Sequence, residues 1–315
     1  MSSARRILLV VHTRREHASR VAAQFGQQVR KAGIGVSVLS DAAAELAGFG
    51  IGDVDVVDAS SHAADGCELT VVFGGDGTIL RGAELVRDSG TPLLGVNLGH
   101  VGFLAEADVA DLKATVQRVV DRDYDIEERM TVDVSVEVDG RTVARSWALN
   151  EASVEKAARE RMLEVVVAID DRPLSRWGCD GVVCATPTGS TAYNFSAGGP
   201  IVWPDVDALL MVPISAHALF ARPMVISPDS VFTIDVLAGS TAAGVLWCDG
   251  RRTHELPPGA RVSVCRGELP VRLARLHRAP FTDRLVRKFD LPVAGWRGLA
   301  EPGPDDARVG RPGRS

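Results

Sequence analysis

The chain has 315 residues, of which 46% are hydrophobic and 24% charged, with a formal net charge of -6. That length suits two domains, and the mildly acidic balance argues against the broad basic footprint of a nucleic-acid binder. No apolar run approaches the ~18 residues of a membrane span. The five cysteines include no CxxC pair, which disfavours a disulfide framework or zinc site and fits a reducing, cytoplasmic setting. The apolar run at 7–12 follows two arginines and leads into Arg14, Arg15 and Glu16. It is too short for a signal peptide and reads as a buried first strand. Residues 17–31 place Val21, Phe25 and Val29 on one helical face, and Gly33 closes that helix. Strands are predicted at 36–39, 69–73 and 93–96, and helices at 79–87 and around 109–121. This alternation implies an open, Rossmann-like parallel α/β sheet over 1–125.

Past residue 125 the pattern changes. Residues 131–138 alternate polar and apolar side chains, then turn at Asp139–Gly140 into 142–149, a half-buried hairpin. Further strands are expected at 163–169, 182–185, 231–237, 245–248 and 262–265. The stretch 126–276 is therefore read as a β-rich, layered, sandwich-like domain. The segment 277–300 is apolar enough to dock and is expected to return to the first domain, and the tail 301–315, rich in Gly, Pro, Arg and Asp, reads as disordered.

Gly74, Gly75, Asp76, Gly77 and Thr78 stand between the apolar run 69–73 and a helix. Glycines there allow consecutive backbone amides to converge on an anion, and the helix N-terminus adds a positive dipole end. A carboxylate repels phosphate, so Asp76 implies a task, either indirect metal coordination or acceptance of a proton from a hydroxyl attacking phosphorus. There is no Walker A lysine, and the first strand–helix turn carries no GxGxxG fingerprint, so neither of these phosphate-binding routes is used. Asn150 and Glu151 could take ribose hydroxyls or simply end a strand. The run from Asp180 to Pro200 packs glycines, small hydroxyl residues and Tyr193 between apolar strands, which suits close approach by a flat ligand. His217, Arg222 and the Asp249–Gly250–Arg251–Arg252 turn read first as structural.

Together GGDGT at 74–78, LGHVGFL at 98–104, LNEASVEK at 149–156 and DGVVCATPTGSTAYNFSAGGP at 180–200 resemble the NAD kinase family. The resemblance runs from the first strand to Trp296, and HALFARPMVISP and PFTDRLVRKFDLPVAGWRG look similar to actinobacterial members. It implies phosphorylation of the adenosine ribose 2′-hydroxyl of NAD by ATP or polyphosphate, with Asp76 as the catalytic base. It further implies nucleotide contacts from Gly74, Gly75, Gly77, Thr78, Arg81, Phe103 and Arg161. Asn150 and Glu151 would hold ribose hydroxyls. Thr188, Thr191, Ala192, Tyr193, Asn194, Phe195 and Ser196 would line the adenine and ribose, and Asp180 would face the nicotinamide half. A divalent cation, Mg²⁺ or Mn²⁺, carried mainly by donor phosphates, a homo-oligomer and a cytosolic location are also implied. Gly178 and Arg251 depart from the family, whose members often carry a basic residue and a glutamine there. A GGDG-type lipid kinase and a non-catalytic NAD(H) sensor are the rival readings. The first has no use for the Asn–Glu and TPTGSTAY segments, and the second has none for Asp76.

Overall fold

The structure is a computed structural model describing residues 5–12, 15–98, 102–108, 111–159, 161–276 and 280–293. The expected tail at 301–315 lies outside the described residues, as do Gly99, His100 and Val101 of the LGHVGFL run.

The chain opens with β1 (Arg6–Val11), α1 (Glu16–Lys31), β2 (Gly35–Leu39), α2 (Ser40–Gly48), β3 (Asp55–Val57) and β4 (Leu69–Phe73). It continues with α3 (Asp76–Val86), β5 (Leu93–Asn97), β6 (Ala107–Asp108), α4 (Leu112–Asp121) and β7 (Asp125–Arg129). Every residue of β4 and β5 is buried. This is the expected state of parallel strands covered on both faces, and it explains why they read as nearly continuous apolar runs, broken only by Thr70 and the terminal Asn97. Alternate residues serve the two faces. Leu9, Val11, Val71 and Phe73 pack under α1, where Phe25 meets Phe73 edge-on at 5.4 Å. Leu8, Val10 and Val72 pack under α3 with Ile79 and Ala83. At Gly82 of α3 a Cβ would stand 2.7 Å from Val72 and 2.9 Å from Leu93, so the helix lies directly on the sheet.

The strand order β3-β2-β1-β4-β5 reverses direction between β1 and β4. In open α/β sheets such a switch point opens a crevice beyond the carboxyl ends of the strands, where ligands bind. The topology alone therefore locates a site at Val11–His12 and the glycine loop after β4.

The β-rich part comprises β8 (Val132–Val138), β9 (Arg141–Ala148), β10 (Glu151–Lys156), β11 (Leu163–Ile169), β12 (Arg172–Cys179) and β13 (Gly181–Ala185). A one-turn helix, α5 (Tyr193–Ser196), precedes β14 (Leu209–Ile214), β15 (Met224–Ile226), β16 (Phe232–Val236), β17 (Gly244–Cys248), β18 (Arg252–Leu256) and β19 (Arg261–Arg266). They form two six-stranded antiparallel sheets, β15-β14-β13-β10-β17-β18 and β12-β11-β16-β19-β8-β9. Both sheets feed one core, in which Val134, Val165 and Ile234 face Val154, Cys184 and Met211. The Asp139–Gly140 turn has φ of 51° and 71°, the doubly positive geometry that two-residue hairpins favour.

The sheet boundary does not follow the division expected at 125/126. β7 and β20 (Val271–Arg275) lie side by side, antiparallel, in the first sheet, with β20 parallel to β5. The two sandwich sheets are thus a long insertion between neighbouring strands, tied to the first sheet by two chain crossings. Within 277–300, α6 (Phe281–Phe289) sets Phe281 and Phe289 against Phe103, and Phe289 also stacks on Phe195 at 4.5 Å. Among the described residues no helix is long and apolar enough to cross a membrane.

Candidate functional site

The crevice at the switch point is a cavity of about 700 Å³ lined by Val11, His12, Arg15, Gly75, Gly77, Thr78, Arg81, Asn97, Leu98 and Arg251. β1 supplies Val11, the glycine loop and first turn of α3 supply Gly75, Gly77 and Thr78, and the end of β5 supplies Asn97. Gly75 is the N-cap of α3, so the positive end of that helix dipole faces the cavity. Gly74 has no room for a side chain, since a Cβ would stand 2.4 Å from the Thr78 hydroxyl. Two of the three lining guanidiniums are tethered, Arg81 to Asp41 and Arg251 to Glu84 at 3.1 Å. A cavity with a helix N-terminus and three arginines on its walls is built for a polyanion.

Asp76 sits between the two lining glycines, half-buried at the first position of α3. Its carboxylate accepts hydrogen bonds from the backbone amides of Phe103 at 3.1 Å and Leu104 at 3.2 Å. At Gly102 a Cβ would be 2.3 Å from Asp76 Oδ1, so only glycine lets the 102–104 backbone come this close. The carboxylate is therefore held in place from behind.

The start of β10 forms a second polar cluster. Asn150 and Glu151 are each only 8% exposed. The buried Asp249 carboxylate, at the β17–β18 turn, accepts the amides of Leu149 at 3.0 Å and Asn150 at 2.7 Å. Thr186 clamps the same segment from the other side, its amide donating to the Asn150 carbonyl and its hydroxyl to the Leu149 carbonyl. Gly189 rests on Asn150 so closely that a Cβ would lie 1.9 Å from its carbonyl oxygen. The Glu151 carboxylate accepts one amide hydrogen bond, from Tyr193 at 3.3 Å. Burial first, and the neighbouring Asp249 charge second, push its pKa up to about 8.

Thr188 and Thr191 bracket a 3-10 turn after β13, and Tyr193 and Phe195 follow on α5. Tyr193 and Ala197 pack on Val183 and Leu210, on the sheet face away from the sandwich core. Ala192 is half-buried, and Phe195 and Ser196 are exposed. Asn194 is fully buried, and its amide donates to the carbonyls of Ser190 and Pro200, so it braces the loop and presents no surface to a ligand. Phe103 offers its backbone to Asp76 while its ring packs on α6. Arg161 is exposed and donates to the Thr241 carbonyl, and Asp180 pairs with Lys156 at 2.6 Å. Neither lines the cavity. At Gly178 a Cβ would meet the Met162 sulfur at 2.5 Å, so that thioether occupies the space a side chain would need.

Several working residues had no clear sequence signal. Asp249 looks like half of an ordinary turn, and its φ of 53° beside Gly250 at 63° does make one, but its carboxylate also organises Leu149 and Asn150. Arg252 donates to Asp249 at 2.8 Å, approaches Glu84 of α3 at 3.3 Å and lies over Trp147 at 4.4 Å. Arg87 also lies over Trp147, at 4.7 Å. This cation–π stack fastens the helix that carries Asp76 to the sheet that carries Asn150 and Glu151.

Family profiles agree with this layout. The ATP-NAD kinase N-terminal domain matches residues 7–124 and the ATP-NAD kinase C-terminal domain matches 149–276. The NAD kinase of Thermobifida fusca is 61% identical over 302 residues, covering 94% of this chain and 92% of that protein. NAD kinase 2 of Streptomyces coelicolor is 62% identical over 295 residues, covering 93% and 97%. Among solved structures, yeast NADH kinase complexed with NADH superposes with a TM-score of 0.80 at 24% identity, over 92% of this chain and 88% of that one. An Archaeoglobus fulgidus NAD kinase in complex with ATP gives 0.68 at 22% identity, over 91% and 100%. At those identities the two structures speak for the fold.

Proposed function

The chain belongs to the NAD kinase family, and from that premise we propose that it joins a phosphoryl group of ATP to the 2′-hydroxyl of the adenosine ribose of NAD, with Asp76 as base. The phosphotransferase activity itself follows from the relatives. The observation that carries the assignment of roles is the placement of Asp76. It stands between Gly75 and Gly77, which line the polyanion cavity, and its carboxylate is oriented by two backbone amides.

The donor's phosphates would lie against Gly75, Gly77 and Thr78, where the α3 dipole and the lining arginines offset their charge. The acceptor ribose would be held at Asn150 and Glu151. Asp76 accepts the hydroxyl proton as that oxygen attacks phosphorus in line, the P–O bond to the leaving diphosphate breaks, and no phosphoenzyme intervenes. A ribose hydroxyl does not ionise near neutral pH, so holding donor and acceptor in line contributes more than the base.

Among the described residues no group of three or more His, Cys, Asp or Glu side chains could form a metal cage. Mg²⁺ binds through one or two carboxylates plus substrate phosphates and keeps several waters, so a cation that arrives with the donor fits this wall better than a resident one. We also read the protein as a cytoplasmic homo-oligomer. Exposed Met162, Leu174, Leu219 and Phe220 near β12 support an assembly surface there.

The test is NADP formation by the purified protein from NAD and Mg²⁺ with either ATP or inorganic polyphosphate. No NADP from either donor, with NAD still bound, would favour the non-catalytic sensor instead. Arg251 gives a narrower expectation. It lines the donor cavity as a partly exposed cation, so Arg251→Gln should raise the KM for ATP about two- to fivefold. The KM for NAD should stay unchanged, and steady-state kinetics with each substrate varied in turn checks the split.

A further inference from the structure

Behind Asp76 lies a chain of contacts that the proposed roles leave unused. The two amides that hold the carboxylate belong to Phe103 and Leu104. The Phe103 carbonyl and the Leu104 amide are parts of one peptide unit, which is planar and, when trans, points its C=O and N–H in opposite directions. Leu104 N–H points at Asp76 Oδ1, and on the opposite side Arg284 Nη1 donates to the Phe103 oxygen at 2.9 Å.

Arg284 is itself fixed. Its Nη2 donates to Glu106 Oε2 at 2.5 Å, and the Glu106 side chain is 2% exposed. The Glu106 backbone amide is anchored on the Gly95 carbonyl of β5, and its carboxylate also takes Arg275 of β20 at 2.8 Å. Arg275 in turn holds Glu127 of β7 at 2.6 Å. The guanidinium therefore spans a carboxylate tied to the central sheet and the peptide that orients Asp76. Phe281 and Phe289, three residues before and five after it, pack on the Phe103 ring with centroids 6.0 and 5.7 Å away. This fixes the same residue through its side chain.

We propose that Arg284, presented by α6, is a positioning residue for Asp76, setting the plane of the Phe103–Leu104 peptide from behind and so aiming the carboxylate at the acceptor hydroxyl. The inference rests on Asp76 being the base. The α6 helix then acts in the reaction although it contributes no group to the cavity wall.

Lysine cannot replace this fork, because a single ammonium lacks the planar pair of donors that reaches Glu106 and the Phe103 carbonyl at once. Three variants separate positioning from simple support. In Arg284→Ala, turnover should fall about 10- to 100-fold, since a displacement near 1 Å at a reacting group costs on that order. The KM and directly measured Kd for NAD should stay within about twofold, and hydrogen exchange at the Leu104 amide should quicken about tenfold. Arg284→Lys should fall between the two enzymes in both readouts. Arg287→Ala, at an exposed position of the same helix, should match wild type. Wild-type turnover in Arg284→Ala would overturn the proposal. So would a loss matched by equal losses in NAD affinity and melting temperature, because that pattern means the helix merely supports the fold. An Asp76→Asn enzyme assayed alongside keeps the two ideas apart. If it turns over normally, the base assignment fails whatever Arg284 does. If it is inactive while Arg284→Ala is normal, only the positioning role fails.

Discussion

The Asp76→Asn enzyme is expected to bind NAD at near wild-type affinity and to turn over about 10²- to 10⁴-fold more slowly, the usual contribution of a positioned general base. The substitution preserves shape, so the glycine loop and the start of α3 should keep their course. It also has a second effect that the structure makes visible. The wild-type carboxylate accepts from two amides, Phe103 N–H and Leu104 N–H. A carboxamide offers one oxygen and one NH₂, so one of those amides would face another donor. Some of the loss will therefore come from a shifted 102–104 backbone. Comparing binding of ATP and of NAD by calorimetry with turnover separates the parts, because a shift that spreads to the glycine loop weakens ATP binding whereas a missing base does not. Turnover should not vanish. Holding donor and acceptor in line can supply ~7–11 kcal/mol of barrier lowering, and that remains in the variant. A variant within about tenfold of wild type would remove Asp76 from the base role.

How much of this was readable beforehand depends on how local the determinant is. β4 and the loop after it are legible because burial on both faces leaves Thr70 as the one polar residue in 69–73 and the glycines end the run. The helix after it is expected from 79 but begins at Asp76. Glycine is a poor helix former, so a first turn made of Asp76, Gly77 and Thr78 looks like loop. β14 is absent from the expected strands, and a proline at 213 weakens the strand signal of that apolar run. In the structure Pro213 nevertheless stands opposite Val182 in an interior strand. β7 and β20 carry no signal of their own pairing, because Glu127 and Arg275, which meet across it, are 148 positions apart in the chain.

The site divides in the same way. Asp76 stands out because a carboxylate inside a glycine loop calls for a reason, whereas Asn150 and Glu151 read equally well as the end of a strand. Asn194 shares the hydroxyl-rich loop with plausible ligand contacts, and nothing in its neighbours says that its amide turns inward to Ser190 and Pro200. Asp249 and Arg284 act on backbone groups of distant segments, and a linear sequence has no way of showing a target of that kind.

Glu151 should make stability fall as pH rises. Asp249 shares its buried neighbourhood but is far better provided for, with two amides and the Arg252 guanidinium against the single amide that Glu151 receives. One negative charge is thus cheaper on Asp249, and the proton stays on Glu151, whose pKa stands at about 8 against an ordinary 4.5. Between those two values the native protein holds a proton that the unfolded chain has released. Stability then declines with pH across the interval and levels off above about pH 8. At about 1.4 kcal/mol per pH unit of displacement, the full decline is on the order of 5 kcal/mol. Glu151→Gln mimics the protonated acid and cannot ionise, so it should lack this term. Denaturant midpoints of the two proteins should be similar at pH 5, and by pH 9 the variant should be the more stable by up to that amount. Taking the difference between them cancels every other titrating group. A difference that stays constant from pH 5 to 9 would show that the carboxyl ionises normally, and with it would go the idea of an acid held neutral beside the ribose.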